Sequence, residues 1–175
     1  MGDFGPDLPT SRMSANAIRH TVLEGTQHIS RSWLRENAIH VLPREEITEL
    51  PSSCELRFLA KLSDELICIT TADIGEQSQY QAVQIPVAQV SDWFWDHASF
   101  DVLIATPDLH ALLLITVDEY ALLAGSRQAL ATAITPQSLD AAHAQFDEYA
   151  ADMASASRHL RDVAQRYGRP ERGQK

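Results

Sequence analysis

The run over residues 111–117, Ala-Leu-Leu-Leu-Ile-Thr-Val, is apolar on both of its alternating faces. A strand of that kind has no side to give to water, so it belongs at the centre of a sheet with cover on both faces. The rest of the chain must then provide neighbouring strands and the helices that cover them. A length of 175 residues is enough for one such unit with a sizeable core.

Candidate neighbours lie on either side. Residues 100–106 form a strand that turns at Pro107 and Asp108, and residues 120–124 form another that stops at Gly125. Upstream, residues 55–62 and 66–71 flank the turn-like pair Ser63 and Asp64 and read as a hairpin. In that register Leu62 faces Glu65, Ala60 faces Ile67 and Phe58 faces Ile69. Leu56, Phe58, Ala60 and Leu62 make its apolar side, and Leu59 alone breaks the alternation. Residues 73–79 are a polar loop. Residues 82–87 make a short strand whose Pro86 suits a sheet edge.

Helical spacing marks the two ends of the chain. Ser14 can cap a helix whose stripe is Ile18, Val22, Gly25, Ile29 and Trp33, with Asn37 as a left-handed stop. Pro43 and Pro51 frame a connecting segment. Residues 90–98 suit a short helix, and Ser126 can cap another that runs to Ile134. Thr135 at N-cap and Pro136 at N1 open the best-marked element, closed by Gly168 and Pro170. Leu139, Ala142, Phe146, Tyr149, Met153, Ala156, Leu160, Val163 and Tyr167 recur along it at spacings of three and four. The expected fold class is α+β: an antiparallel sheet of about five to six strands, with an N-terminal helix, a short middle helix and a long C-terminal helix packed on it. Residues 1–13 read as a flexible lead, 14–168 as the single domain and 169–175 as a basic flexible tail.

Composition narrows the function classes. Fourteen Lys and Arg stand against 24 Asp and Glu, a net charge of −10 with a pI near 5.0. Nucleic-acid binding needs a basic footprint, and an anionic membrane surface needs one too, so neither is an expected partner. No apolar run reaches the ~18 residues of a membrane span, and the first residues lack the charged start and apolar centre of a secretory signal. In the hairpin register Cys68 faces Leu59, which leaves Cys54 too far away for a disulfide. Two reduced thiols fit a reducing, cytoplasmic setting.

The charge is unevenly spread. Residues 62–126 contain no Lys or Arg and ten acids, whereas residues 158–175 hold six bases against two acids. A cation-free span of that length is expected to gather its carboxylates into a negative docking face for a cationic partner. Within it, Asp92 and Asp96 are i,i+4 neighbours on a helix, and Trp93, Phe94 and Trp95 fan out between them. Asp92, Trp93, Trp95 and Asp96 are therefore the candidate partner-binding residues, an aromatic anchor flanked by acids. The long C-terminal stripe, with Phe146, Tyr149, Met153 and Leu160 at its centre, either packs within the chain or pairs antiparallel with a second copy. Antiparallel pairing would set Asp140, Asp147, Glu148 and Asp152 against Arg158, Arg161 and Arg166.

Signatures of chemistry are sparse. There is no helical zinc pair, Cys-x-x-Cys, calcium loop, nucleophile elbow or phosphate-binding loop. Asp92, Asp96, His97 and Asp101 could meet at a cation only if the intervening loop curls back. Gly125, Ser126 and Arg127 make a weak anion site at a helix start. No catalytic, cofactor-binding or metal-ligating residue is assigned, and the expectation leans away from an enzyme. The sequence points instead to a non-catalytic protein-binding module with a basic protein partner, in the manner of an immunity or antitoxin-like inhibitor. The alternative is a small-molecule-sensing regulatory domain that dimerises through the C-terminal helix.

Overall fold

A computed structural model describes residues 14–74 and 81–168. One six-stranded antiparallel sheet runs through it: β1 (His40–Glu45), β2 (Glu65–Thr70), β3 (Val83–Pro86), β4 (Val102–Ala105), β5 (Leu112–Ile115) and β6 (Tyr120–Gly125). The order across the sheet is β1-β6-β5-β4-β2-β3. Every residue of β4, β5 and β6 is buried, as the two-faced apolarity of residues 111–117 requires.

Two helical layers supply that burial. On one face lie α1 (Ala15–Val22), α2 (Arg31–Glu36), α6 (Leu139–Asp152) and α7 (His159–Tyr167). Their Ile18, Trp33, Phe146, Leu160 and Val163 pack with Ile69, Leu103, Leu114 and Leu122 of the sheet. On the other face lie α3 (Cys54–Leu62), α4 (Val87–His97) and α5 (Arg127–Ala133). There Phe58, Leu59, Val90, Phe94 and Leu130 pack with Leu66, Ile104, Leu113 and Leu123. The fold is α+β with an antiparallel sheet and a long C-terminal helix, as expected. Each fully buried Leu or Ile contributes about 1.5–3 kcal/mol.

Several local expectations are corrected. Residues 55–62 are helix α3, not the first strand of a hairpin. Ser53 Oγ accepts the Leu56 N–H at 3.1 Å, and Glu55, Leu56, Phe58 and Leu59 are the buried residues. Those positions follow helical rather than alternating spacing, and Leu59, the exception to the alternation, belongs to the pattern. With that strand gone, β2 pairs with β3 and β4, and residues 40–45, which run through Pro43 into the expected connecting segment, form β1 instead. β1 is an edge strand, so Pro43 deprives no neighbour of a donor; Pro86 closes the other edge strand. Cys54 opens α3, Cys68 lies buried in β2, and both are free. Burial pushes the Cys68 thiol up to about 12, and burial beside Glu55 raises that of Cys54.

The N-terminal helix is also divided. The chain turns at Gly25, whose φ is +75°, and Leu23 bridges to Ile29 before Ser30 caps α2. Asn37 caps α2 but is not left-handed; Ala38, at φ +52°, is. At the other end, the long helix begins behind Ser138, whose Oγ accepts the Ala141 N–H at 3.1 Å, not behind Thr135. A 3₁₀ turn at Met153–Ser155 separates α6 from α7. The break docks on the β5–β6 turn, where Ser157 Oγ donates to Glu119 Oε2 at 2.9 Å and His159 Nε2 lies 2.8 Å from the Asp118 carbonyl. Ala156 is exposed, so the continuous seam read from the sequence is interrupted there. Phe146 and Leu160 are buried in the chain's own core, and Tyr149 and Met153 pack against it. The lead at 1–13, the tail at 169–175 and part of the polar loop lie outside the described residues.

Tyr167 joins the two ends of the chain. Its hydroxyl accepts the buried Ile29 N–H at 2.8 Å and Arg166 Nε at 3.1 Å, while Arg166 Nη2 meets Glu24 at 2.7 Å. Tyr167→Phe leaves the Ile29 amide without a partner, so urea unfolding should show a loss of about 1–3 kcal/mol with faster exchange of that amide; a change below about 0.5 kcal/mol would refute the clamp. His28 lies against Tyr167, its Nδ1 buried without a partner. Desolvation and the Arg166 and Arg31 cations hold its pKa below the usual 6.5, against a smaller opposing pull from Glu24. Below 6.5 the unfolded chain takes up a proton that the folded chain resists, so stability should fall with acidification. Between about pH 7 and pH 5 the loss should be smaller in His28→Gln, and an identical slope would contradict it.

Candidate functional site

Helix α4 begins where β3 ends, and its first turn is set by Pro86, whose φ of −55° suits a helix entry. It lies over β2 and β3. Val90, Phe94 and His97 turn inward and are buried, whereas Ala88, Gln89, Asp92, Trp95 and Asp96 are exposed. The outward set follows the i, i+3, i+4 pattern of one helix face. Trp95 is 55% exposed, the most of the three large apolar side chains left open among the described residues. Its ring meets the edge of Phe94 at 5.3 Å between centroids, so the core-facing Phe94 braces the exposed indole.

Three of the four candidate anchors therefore share one face: Asp92, Trp95 and Asp96. Trp93 does not join them. It is half-buried against the core beneath α4 and stacks on His97 at 4.3 Å with planes 15° apart. His97 Nδ1 lies 2.7 Å from the Trp93 carbonyl, and Trp93 Nε1 is buried without a hydrogen-bond partner. At 100° per residue Trp93 falls between the outer and inner faces, which is why a fan of three aromatics cannot all point outward.

The acids of the cation-free span do not form one patch. Strand pairing places Asp64, Glu65 and Asp108 at one end of the sheet and Asp101, Asp118 and Glu119 at the other. Most are occupied with local structure. Asp101 Oδ1 accepts the Val117 N–H at 2.8 Å, and Asp108 accepts the Thr106 hydroxyl and the His110 N–H. Gln27 binds Asp118, Ser157 binds Glu119 and Gln84 binds Glu65. Asp73 lies near the Arg19 guanidinium, whose pKa burial lowers and that carboxylate partly restores. Turn acids satisfy their own loops because loops carry unpaired amides. Asp92 and Asp96 differ, making neither hydrogen bonds nor ion pairs with any described residue.

The chemistry-bearing groups read from the sequence do not converge. Asp92 and Asp96 face outward while His97 is buried beneath the helix, and no group of three His, Cys, Asp or Glu among the described residues is placed to hold a metal ion. Ser126 Oγ caps α5 through the Ala129 N–H at 3.1 Å. Gly125 is a close approach: a Cβ there would stand 3.0 Å from the Phe58 ring. No described helix is long and apolar enough to cross a membrane. One charged pair escaped the sequence reading: Arg44 Nε donates to Glu55 Oε1 at 2.7 Å, with Glu55 only 5% exposed. The sole hint was opposite charges eleven residues apart.

Comparisons with known protein families, with curated proteins and with solved structures find no match to this chain.

The two neighbouring aromatics of α4 should respond oppositely to truncation. Phe94→Ala opens the core and is expected to cost about 3–5 kcal/mol. Trp95→Ser should stay within about 0.5 kcal/mol of the parent chain in urea unfolding, and equal losses would show that Trp95 belongs to the core.

Proposed function

We propose that this chain is a non-catalytic protein-binding module whose docking surface is the outer face of α4. The observation that carries the reading is Trp95, 55% exposed, flanked by Asp92 and Asp96, neither of which has a partner among the described residues. An open indole keeps apolar area in water, and tryptophan is among the residues most often found at the energetic centre of an interface. Two unpaired carboxylates beside it select a cationic counterpart, since an acidic partner would meet like charge at contact distance. The occupant is a basic protein presenting Arg or Lys, with an arginine suited both to the indole face and to a carboxylate. An immunity or antitoxin-like inhibitor of a cationic enzyme is the concrete form, supported by the chain's own net charge of −10. A second copy of this chain fits the surface poorly, because its own net charge of −10 is of the same sign.

Affinity capture from the native host, followed by titration with the purified captured protein, tests the reading. The captured protein should be strongly basic, and its affinity should fall steeply with salt. Asp92→Lys with Asp96→Lys should weaken binding by tenfold or more, equivalent to about 1.4 kcal/mol, and flatten the salt dependence. Trp95→Ala should weaken binding at all salt concentrations. Unchanged affinity in both variants, at low salt, would refute the assignment.

A further inference from the structure

The two edges of the sheet are not equivalent. The Val87 N–H donates to the Asp64 carbonyl at 3.0 Å, and the Thr71 N–H to the Asp101 carbonyl at 2.9 Å. Antiparallel neighbours exchange main-chain bonds at every second position. In the observed register those two bonds turn the main-chain groups of Val83, Ile85 and Val87 toward β2, and those of Gln84 and Pro86 away from the sheet. Counted in the same way from the bond between the Thr116 N–H and the Tyr120 carbonyl, β1 turns Val41, Pro43 and Glu45 outward. Proline holds the middle of the β1 edge, where it leaves no donor. On β3 it holds only the last place. Gln84 there presents both an N–H and a C=O, and no described residue takes either.

The side chains at this edge are also incompletely covered. Val83 and Ile85 pack against the core beneath α4 yet are only half-buried, as is Ile67 on the opposite face of the sheet. Open main-chain groups and half-covered apolar side chains call for the same occupant, another length of extended chain. Its charge follows from the surroundings. Asp64 and Glu65 are exposed at the end of the edge, and β2, β3 and α4 carry no Lys or Arg between them. We propose that β3 takes an extended basic segment of the protein partner as an added antiparallel strand, which rests on the reading of this chain as a module for a basic protein. The segment bonds to both main-chain groups of Gln84 and to the Pro86 carbonyl. Its residue opposite Gln84 stands on the Glu65 face, where a cation is favoured. The residues to either side stand on the α4 face and cover Val83 and Ile85. Arg or Lys therefore alternates with Val or Ile along it.

The probe is the capped peptide Arg-Val-Arg-Val-Arg, titrated into the full isotope-labelled chain at low ionic strength. At saturation, solvent exchange of the Gln84 amide should slow by about tenfold or more, with the largest shift changes over residues 83–86. N-methylation of the peptide's arginines, whose amides face β3, should weaken binding by about tenfold or more. N-methylation of its valines, whose amides face away, should leave binding intact. Gln84→Pro removes the outward donor without costing β2 a bond, and should weaken binding as methylated arginines do. An unprotected Gln84 amide, equal losses from the two methylated peptides, or equal binding by Glu-Val-Glu-Val-Glu would overturn the proposal. Protection of Gln84 that grows with concentration in the free chain would also overturn it, by assigning the edge to a second copy. Titration with the captured basic protein separates the roles of β3 and α4. Affinity lost in Trp95→Ala but kept in Gln84→Pro would leave the α4 face standing and overturn the strand addition. Affinity lost in Gln84→Pro but kept in Trp95→Ala would support the added strand and count against α4.

Discussion

Double-sided burial of β4, β5 and β6 is the constraint from which the rest of the molecule follows. Every position in these strands is buried, so a helical layer on one face alone would leave Leu, Ile and Ala side chains in water across the whole of the other. At about 25 cal/mol per Å² of apolar surface, that exposure exceeds the net stability of a domain this size. The chain answers by placing α1, α2, α6 and α7 against one face and α3, α4 and α5 against the other. What is left open is the periphery, and the proposed docking face of α4 is found there. Helix α4 sits over the β2–β3 edge.

Much of this frame was legible in the chain because local and global signals agree. Residues 111–117 announce a central strand, Gly125 and Ser126 end β6 and cap α5 as expected, and Pro86 marks an edge. The failures have particular causes. In residues 55–62 alternation and helical spacing share Leu56 and Phe58, so only Leu59 and the Ser53 cap tell them apart. β1 was obscured by Pro43, a residue that excludes a central strand but not an edge one. The stripe from Leu139 to Tyr167 crosses the break near Ser157 without losing its spacing. There the contacts of Ser157 and His159 with the β5–β6 turn override helix continuation, and such contacts between distant segments leave no mark on local pattern.

The candidate sites follow the same division. Asp92, Trp95 and Asp96 could be assigned to one helix face by spacing alone; the same spacing puts Trp93 between the faces, and its packing against His97 and the core then draws it inward. The gathering of acids into a single patch was wrong in a more general way. Charge along the sequence says nothing about which end of a sheet each turn occupies, and antiparallel connection sends successive turns to opposite ends. The Arg44–Glu55 pair was beyond reach because it joins a strand read as a connection to a helix read as a strand.

The central claim is that the outer face of α4 is the surface this chain offers to another protein. Hydrogen exchange measured on the free chain, then on its complex with the captured basic protein, addresses it at residue resolution. The account predicts slowed exchange across Val87–His97, with β1 and α6 unchanged. Protection over β1 and α6, with α4 exchanging as it does in the free chain, would contradict it.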